Sequence, residues 1–295
     1  MTASWQNQPE KGAAFTRRLL VFIAMIAGRR LTGYLLRVII FYYTLTAITA
    51  RRASTAYLAR VLKRQPQFKD VYRHFLTFAE VSLDRFYFLN NKFDQFSLNF
   101  HNTEVFDQVA SGGILITAHV GSFDALRAMA RTHRQFRIRL LIDVHHNAHM
   151  LQLLKETDPA LAADVIDAQL SAPELALAIQ SAVEAGHDVG IMGDRITQSD
   201  RAFSANFLGG EAKFPEGLWQ IAAMLKCPVI ACLGLYSQPN RYDLYFKLIS
   251  HNLGLSRKDR AITIKQGQSL YLDFLSEWVQ RNPYNWFNFY DFWQH

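Results

Sequence analysis

A histidine and an aspartate five residues apart follow an apolar segment near the middle of the chain. The apolar residues 114–118 lead directly into His119, and Asp124 comes shortly after Gly121. A carboxylate that accepts the Nδ1 proton of an imidazole fixes its tautomer and leaves Nε2 available as a general base. The pair could therefore take a proton from a hydroxyl or an amine, as the base and orienting acid of a triad do, without a protein nucleophile.

The spacing limits how these two side chains can meet. On one continuous helix, five residues turn a side chain by about 140°, so His119 and Asp124 would diverge. We therefore predict that 114–118 is a strand, that Gly121 permits a sharp turn, and that a helix covers 122–131. In the alternative interpretation, the histidine is purely structural and lies near the start of a helix.

Short apolar segments alternate with helical segments from about residue 100 onwards. The predicted strands cover 114–118, 137–144, 189–192, 228–236 and 242–250, and the predicted helices cover 122–131, 173–185, 216–226 and 261–281. Pro173 and Gly186 fit the first turn and the end of one of these helices. This alternation predicts an α/β fold, with a mostly parallel or mixed central sheet flanked by helices.

A second polar pair follows another predicted strand. Asp194 and Arg195 come directly after the apolar segment 189–192, much as His119 follows 114–118. Ligands collect at the carboxyl ends of parallel strands, so we expect both strand ends to deliver polar side chains to one edge of the sheet. Arg195 suits a phosphate or a carboxylate there, and an ordinary ion pair is the alternative.

Two other groups are weaker candidates for a site. Glu216 and Gly217 open the predicted helix 216–226, where a carboxylate could position a substrate or simply interact with the helix dipole. A second group comprises Asp143, His145, His146 and His149. The i, i+4 spacing within it could hold a metal ion, but a solvated turn or the rim of a substrate site is the commoner arrangement. We predict no metal site.

The positive charge of the chain is concentrated at its N-terminal end. Residues 1–64 contain eleven Lys and Arg and a single acid, Glu10, so they carry +10, whereas the whole chain carries only +7. Apolar segments at 19–27 and 31–50 are too short or too interrupted to span a bilayer. We predict helices that lie in the interface of an anionic membrane. Packed core helices with a charged edge are the alternative, and no motif supports nucleic-acid binding.

Four sequence blocks occur in order between residues 118 and 231. They are His119 with Asp124, Gly190 through Arg195, Phe214-Pro215-Glu216-Gly217, and the apolar strand that Pro228 begins. This ordered set resembles the lysophospholipid acyltransferase superfamily, and most closely its bacterial branch of late lipid A biosynthesis acyltransferases and their predicted relatives. The closer resemblance is carried by Arg51-Arg52-Ala53-Ser54, Arg60, the segment 78–85, Phe207-Leu208-Gly209-Gly210 and the ending 283–286.

The resemblance implies transfer of a fatty acyl chain from acyl carrier protein or acyl-CoA to a hydroxyl or amine of a membrane lipid or glycolipid. It implies no cofactor beyond that thioester, with acyl carrier protein as a partner. It also implies a peripheral or monotopic location on the cytoplasmic face of the bacterial inner membrane. Residues 1–64 would then associate with the membrane, and 65–295 would form the acyltransferase domain. The implied catalytic residues are His119 and Asp124, and the implied substrate-binding residues are Asp194, Arg195, Glu216 and Gly217.

The chain departs from the family pattern at two places. The bacterial branch more often has Glu where this chain has Asp124, which keeps the carboxylate but shortens its reach. The glycerolipid enzymes continue after the glycine with Thr-Arg, whereas Leu218 and Trp219 stand here. The second departure argues against an acceptor of the glycerol-3-phosphate type.

Two other functions are compatible with the same residues. A lipid-binding protein could keep the fold and lack activity, and a thioesterase or hydrolase could use His119 with water. Ser122 lies close to His119 in sequence, but no G-x-S-x-G elbow surrounds it. The aromatic ending, 284–293, could form a membrane-interface belt, a wall of an acyl site or a tail packed on the core.

Overall fold

The computed structural model of this chain describes residues 13–109, 112–126, 137–144, 148–157, 159–196, 201–254 and 258–293. Its helices are α1 (Ala13–Thr46), α2 (Ile48–Leu62), α3 (Phe68–Leu89), α4 (Ala148–Thr157), α5 (Pro159–Ala163), α6 (Ala172–Glu184), α7 (Gly217–Leu225) and α8 (Arg260–Arg281). Its strands are β1 (Ser97–His101), β2 (Ile114–Thr117), β3 (Ile138–Ile142), β4 (Ile166–Asp167), β5 (Asp188–Met192), β6 (Ala202–Phe207), β7 (Gly210–Pro215), β8 (Val229–Gln238) and β9 (Arg241–Ser250).

Seven of these strands form one mixed sheet in the order β1-β9-β8-β2-β5-β3-β4. Neighbouring strands run parallel except for β8 and β9, which are antiparallel. The prediction of an α/β fold with a mostly parallel central sheet is confirmed. The strands β1 and β4 and the separate hairpin of β6 and β7 were not predicted.

Both faces of the central sheet are covered by other elements. In β2, Ile114 and Ile116 belong to one hydrophobic cluster, with Tyr57 of α2, whereas Leu115 belongs to another, with Phe88 of α3. Successive side chains of a strand point to opposite faces, so a strand covered on both sides is apolar throughout. This explains why the segment 114–118 shows no alternation between apolar and polar residues.

The N-terminal helices bend twice. The first bend lies at Gly28, whose φ of +73° interrupts α1, and the second lies where α1 meets α2 at 93°. In the part of the chain that the structure describes, no single helix is long and apolar enough to cross a membrane. The bent pair Gly28–Thr46 and Ile48–Leu62 meets that test only by length and composition.

One face of α1 beyond the first bend is apolar and exposed. We call it the apolar stripe, and it consists of Leu31, Tyr34, Val38, Phe41, Tyr42 and Leu45. Val38 is the most exposed of these, with 69% of its surface accessible. The i, i+3 and i+4 spacing places these side chains on one side of the helix. By contrast, Tyr57 and Leu58 of α2 are fully buried against the body of the protein.

Candidate active site

The carboxyl ends of β2 and β5 lie side by side because these strands are parallel neighbours. Their register pairs Thr117 with Met192, and the backbone N–H of Gly193 donates to the Thr117 carbonyl over 2.8 Å. Two residues beyond this pair, the same register brings His119 next to Asp194. The prediction that two strand ends deliver polar residues to one edge of the sheet is confirmed.

The Asp194 carboxylate accepts hydrogen bonds from the ring and backbone of His119 and from Trp286. Its Oδ1 lies 2.8 Å from His119 Nδ1, and its Oδ2 accepts from the His119 backbone N–H over 3.0 Å. The indole Nε1–H of Trp286 also donates to Oδ2, over 2.9 Å. The Asp194 side chain is 1% exposed, whereas that of His119 is 30% exposed. A buried carboxylate with three donors therefore fixes an imidazole that reaches the surface of a cavity.

The prediction that Asp124 orients His119 is wrong. Asp124 Oδ2 lies 2.9 Å from Nε of Arg85, which projects from α3. Asp124 stands in a short 3₁₀ turn, Asp124–Leu126, so the start of the predicted helix is not α-helical. The rest of that helix, 127–131, lies outside the described residues. The spacing of five residues made contact between His119 and Asp124 plausible. It gave no information about Asp194, which follows another strand and lies closer to the ring.

The turn between His119 and Asp124 is held by hydrogen bonds to two other parts of the chain. Gly121 has a φ of +59°, which favours glycine, and a Cβ there would lie 2.0 Å from the Gly234 carbonyl oxygen. The Gly121 N–H donates to the Asn285 carbonyl, and the Ser122 N–H donates to that of Gly234. The predicted glycine turn is confirmed, but it anchors the chain to β8 and to the C-terminal segment.

The C-terminal segment 285–290 completes the site. The Phe287 N–H donates to the His119 carbonyl over 2.8 Å, and the Asn285 side chain pairs with both backbone groups of Tyr236. Trp286 is buried among aromatic rings that include Phe207. Part of the aromatic ending is therefore packed on the core, as one of its three interpretations held. Sequence reasoning missed Trp286 as a site residue because no local signal connects it to a strand end 92 residues away.

A buried histidine supports this segment. The Nε2 atom of His74 in α3 lies 2.8 Å from the Trp286 carbonyl oxygen, and its Nδ1 lies 2.8 Å from the hydroxyl of Ser54 in α2. His74 is fully buried, and burial lowers its pKa from 6.5 to about 4. The helices α2 and α3 are thereby linked through Trp286 to Asp194.

The buried histidine predicts a pH dependence of stability. Below pH 6.5 the unfolded chain takes up a proton at His74 that the folded chain does not bind until about pH 4. As the pH falls from 6.5 to 4, the free energy of unfolding should therefore decrease by about 3 kcal/mol. Above pH 6.5, His74 should make no pH-dependent contribution to stability. Urea titrations at several pH values measure this loss. A His74→Gln variant should lack this component, and an unchanged slope would contradict the assignment.

His119 lines a cavity of about 270 Å³ at the edge of the sheet. Five aromatic side chains and two arginines contribute to its wall. Besides His119, its lining residues include Phe78, Arg85, Phe123, Asp124, Met192, Arg195, Phe287, Phe289 and Tyr290. Arg195 donates from Nη2 to the Phe287 carbonyl over 2.8 Å, and its guanidinium lies 5.6 Å from the centre of the Tyr290 ring. The predicted position of Arg195 beside His119 is confirmed.

The charges around His119 favour a neutral imidazole. Burial and the positive charge of Arg195 lower its pKa below 6.5, and Asp194 only partly opposes them. Burial alone would raise the pKa of Asp194, but His119, Arg195 and the Trp286 N–H together hold it well below its usual value. A carboxylate can only accept hydrogen bonds, so the proton of the neutral ring must lie on Nδ1. Nε2 then carries the free lone pair.

Glu216 and Gly217 do not line this cavity, so their predicted contact with a substrate at His119 is not supported. Glu216 precedes the first residue of α7, and its Oε1 accepts from Gln220 of the same helix over 2.9 Å. Gly217 is exposed to solvent. The preceding strand β7 belongs to the separate hairpin and not to the central sheet.

The predicted group of one aspartate and three histidines follows β3. The side chains of His145, His146 and His149 lie outside the described residues, and Asp143 accepts from Gln169 over 2.8 Å. Within the described ranges, no group of three metal-ligating side chains could hold a metal ion.

Comparison with known proteins adds no family assignment. The scan against protein-family models finds no match, and the search of curated proteins finds none either. The function must therefore be argued from the geometry of the site.

Proposed function

We propose that this protein is an acyltransferase that moves a fatty acyl chain from an acyl thioester to a hydroxyl or amine of a membrane lipid or glycolipid. The observation that carries this proposal is the contact between His119 Nδ1 and Asp194 at the wall of a cavity with aromatic and cationic residues. The ordered sequence blocks that resemble acyltransferases support the same reaction class.

The proposed reaction needs one base and no protein nucleophile. His119 Nε2 removes a proton from the acceptor hydroxyl or amine, whose oxygen or nitrogen attacks the thioester carbonyl. The carbon–sulfur bond then breaks, and the leaving thiolate takes up the proton from the imidazolium. Asp194 stabilises that imidazolium while it exists, as the orienting acid of a triad does.

The two arginines suit the charges that such a reaction involves. Arg195 and Arg85 both line the cavity, and guanidinium groups bind phosphate and carboxylate oxygens well. In the proposal they hold an anionic group of the acceptor or donor, or stabilise the oxyanion that forms at the carbonyl. Phe78, Phe287 and Phe289 provide an apolar wall for the acyl chain.

The apolar stripe of α1 supports a location at a membrane surface. A contiguous exposed apolar face such as this stripe marks a surface for a membrane or a partner, and the exposed Arg30 and Arg37 on the same helix could meet lipid phosphates. We propose that the protein lies on the cytoplasmic face of the inner membrane, with this helix in the interface. Acyl carrier protein or acyl-CoA would then approach from the aqueous side.

The proposed base predicts how activity depends on pH. The pKa of His119 is lowered below 6.5, so the rate should rise with pH through this lowered pKa and become level near neutrality. Replacing Arg195 by Gln removes a positive charge beside the ring, so the rise should move to higher pH. Profiles of kcat/KM against pH for both proteins measure the shift, and a profile that does not move would contradict the role of Arg195.

The function is tested by supplying both substrates to the purified full-length protein. The chain is incubated with bacterial inner-membrane lipids and labelled acyl thioesters of several lengths, on acyl carrier protein and on CoA. Mass spectrometry should find a lipid whose mass has increased by one acyl chain. Release of free fatty acid at the same rate with and without lipid would instead indicate a thioesterase. Lipid binding without turnover of any thioester would indicate an inactive binding protein.

A further inference from the structure

A second concave surface shares no lining residue with the His119 cavity. It is a groove of about 550 Å³ between α2 and the start of α3, and we call it the arginine groove. Its walls include Arg51, Arg52, Thr55, Ala59, Phe68 and Val71. Two cations thus lie against an apolar wall, which is unlike both a plain charged surface and a plain apolar cleft.

The two arginines of this groove are not used for internal ion pairs. Among the described residues, neither Arg51 nor Arg52 forms a salt bridge. Arg64, the next arginine but one along the chain, differs, because Asp70 accepts hydrogen bonds from both of its terminal nitrogens over 2.8 and 2.9 Å. The charges of the groove are therefore available to an external anion.

One of these guanidinium groups is held in place. Arg51 Nη1 donates to the carbonyls of Thr44 and Leu45, over 3.2 and 3.1 Å, at the bend between α1 and α2. A fixed guanidinium loses less side-chain entropy when it binds a phosphate than a mobile one does. Arg52 is exposed beside it on the groove wall.

The apolar wall of the groove continues into the apolar stripe. Phe68 is exposed in the groove, and its ring meets that of Phe41 edge to face, with the ring centres 5.8 Å apart. Phe41 belongs to the stripe, and Leu45 and Ile48 extend the exposed apolar surface to the start of α2. An anion site that is continuous with exposed apolar surface matches a molecule with a phosphate and acyl chains.

We propose that the arginine groove binds the phosphate of an anionic phospholipid, whose acyl chains lie along the apolar stripe. This inference rests on the proposed membrane location and adds a specific headgroup site to it. An acidic protein would also meet the two arginines, but it would leave the adjacent apolar surface unexplained. The site lies outside the His119 cavity, so this lipid anchors the protein and is not itself acylated.

The proposal is tested by measuring how the full-length protein binds vesicles. Affinity is compared between vesicles of phosphatidylcholine alone and vesicles that also contain phosphatidylglycerol. The double variant Arg51→Gln/Arg52→Gln should bind the phosphatidylglycerol vesicles on the order of thirtyfold more weakly than the unmodified chain, and Arg52→Gln alone about fivefold. Arg52→Gln leaves the contacts of Arg51 intact, so its effect does not depend on the α1–α2 bend.

A matched control separates a site from general attraction. The double variant Lys63→Gln/Lys69→Gln removes the same charge from exposed residues that do not line the groove. It should lower the affinity for the phosphatidylglycerol vesicles by no more than about threefold. Equal losses in both double variants would overturn the groove as a site while leaving the membrane location intact. No binding of the unmodified protein to either vesicle would overturn both. Arginine variants that weaken binding of acyl carrier protein but not of vesicles would make the groove a protein-docking site instead.

Discussion

Replacing Asp194 by Asn is expected to slow the proposed acyl transfer by about 10²- to 10⁴-fold. The backbone N–H of His119 and the indole N–H of Trp286 both donate to Oδ2 of Asp194. The amide oxygen of the introduced asparagine must therefore take the position of Oδ2. The amide NH₂ then faces His119 Nδ1, which must accept instead of donate. The ring proton is forced onto Nε2, and the general base is lost although the residue is nearly isosteric.

The contrasting variant is Asp124→Asn. It weakens the ion pair with Arg85 on the cavity wall but leaves the bond between His119 and Asp194 in place. We expect it to change KM more than kcat, with kcat falling by less than about tenfold. Steady-state kinetics of the two variants decides between the carboxylates. A larger loss of kcat in Asp124→Asn would mean that Asp124 orients the base during turnover.

His119→Ala should lose as much activity as Asp194→Asn or more, and the double variant should be no worse than His119→Ala alone. Residues that act as one unit show such non-additive losses. His101→Ala is the matched control, because His101 also contacts an aspartate, Asp243, on a different strand pair. Chemical denaturation of every variant tests whether the fold is retained. Full activity in His119→Ala would exclude the proposed mechanism.

Replacing Asp84 by Ala is expected to lower the free energy of unfolding by about 3–5 kcal/mol. Asp84 is fully buried on α3, and both of its oxygens accept from Arg29 of α1, with the Nη2 to Oδ2 distance 2.8 Å. The hydroxyl of Tyr242 in β9 also donates to Oδ2, over 2.8 Å. Without the carboxylate, a largely buried guanidinium loses its ion-pair partner and a buried phenol loses its acceptor. Urea titration at constant pH measures the loss.

A double variant tests the physical reason for that loss. Arg29→Met together with Asp84→Leu replaces the ion pair with apolar groups, so it should recover the part of the loss that comes from the unpaired guanidinium. The Tyr242 hydroxyl still lacks its acceptor in this variant, so the recovery should be incomplete. The exposed pair of Glu277 and Arg281 in α8 is the control, and Glu277→Ala should change stability by no more than about 0.5 kcal/mol. Equal destabilisation by Asp84→Ala and Glu277→Ala would show that α1 is not held by the buried pair.

Local patterns predicted most of the central sheet. The strands β2, β5 and β8 are buried on both faces, so each of them contains a continuous apolar segment. Such a segment can be recognised in the sequence alone. Gly186, with a φ of +77°, ends α6 as predicted, because that conformation favours glycine. The hairpin of β6 and β7 was missed because Leu208, with a φ of +52°, occupies a turn position where glycine, asparagine or aspartate is the usual signal.

The carboxylate that pairs with His119, the proposed base, could be identified only from the fold. His119 and Asp194 are 75 residues apart, and they meet because β2 and β5 are adjacent and in a register that pairs Thr117 with Met192. A sequence indicates that each strand exists, but the order of strands depends on how all of them pack together. Trp286, which arrives from the C-terminal end, depends on the same packing.

The sequence by itself determined the α/β class, the candidate base His119, the glycine turn after it, and the strand end that carries Asp194 and Arg195. Each of these depends on residue type and on spacing of a few residues, and local chemistry limits both. The tertiary structure decided which carboxylate serves His119. It paired Asp124 with Arg85 and placed Asp194 against the ring, because hydrogen bonds form between neighbours in space and a spacing of five residues does not ensure that two side chains are neighbours.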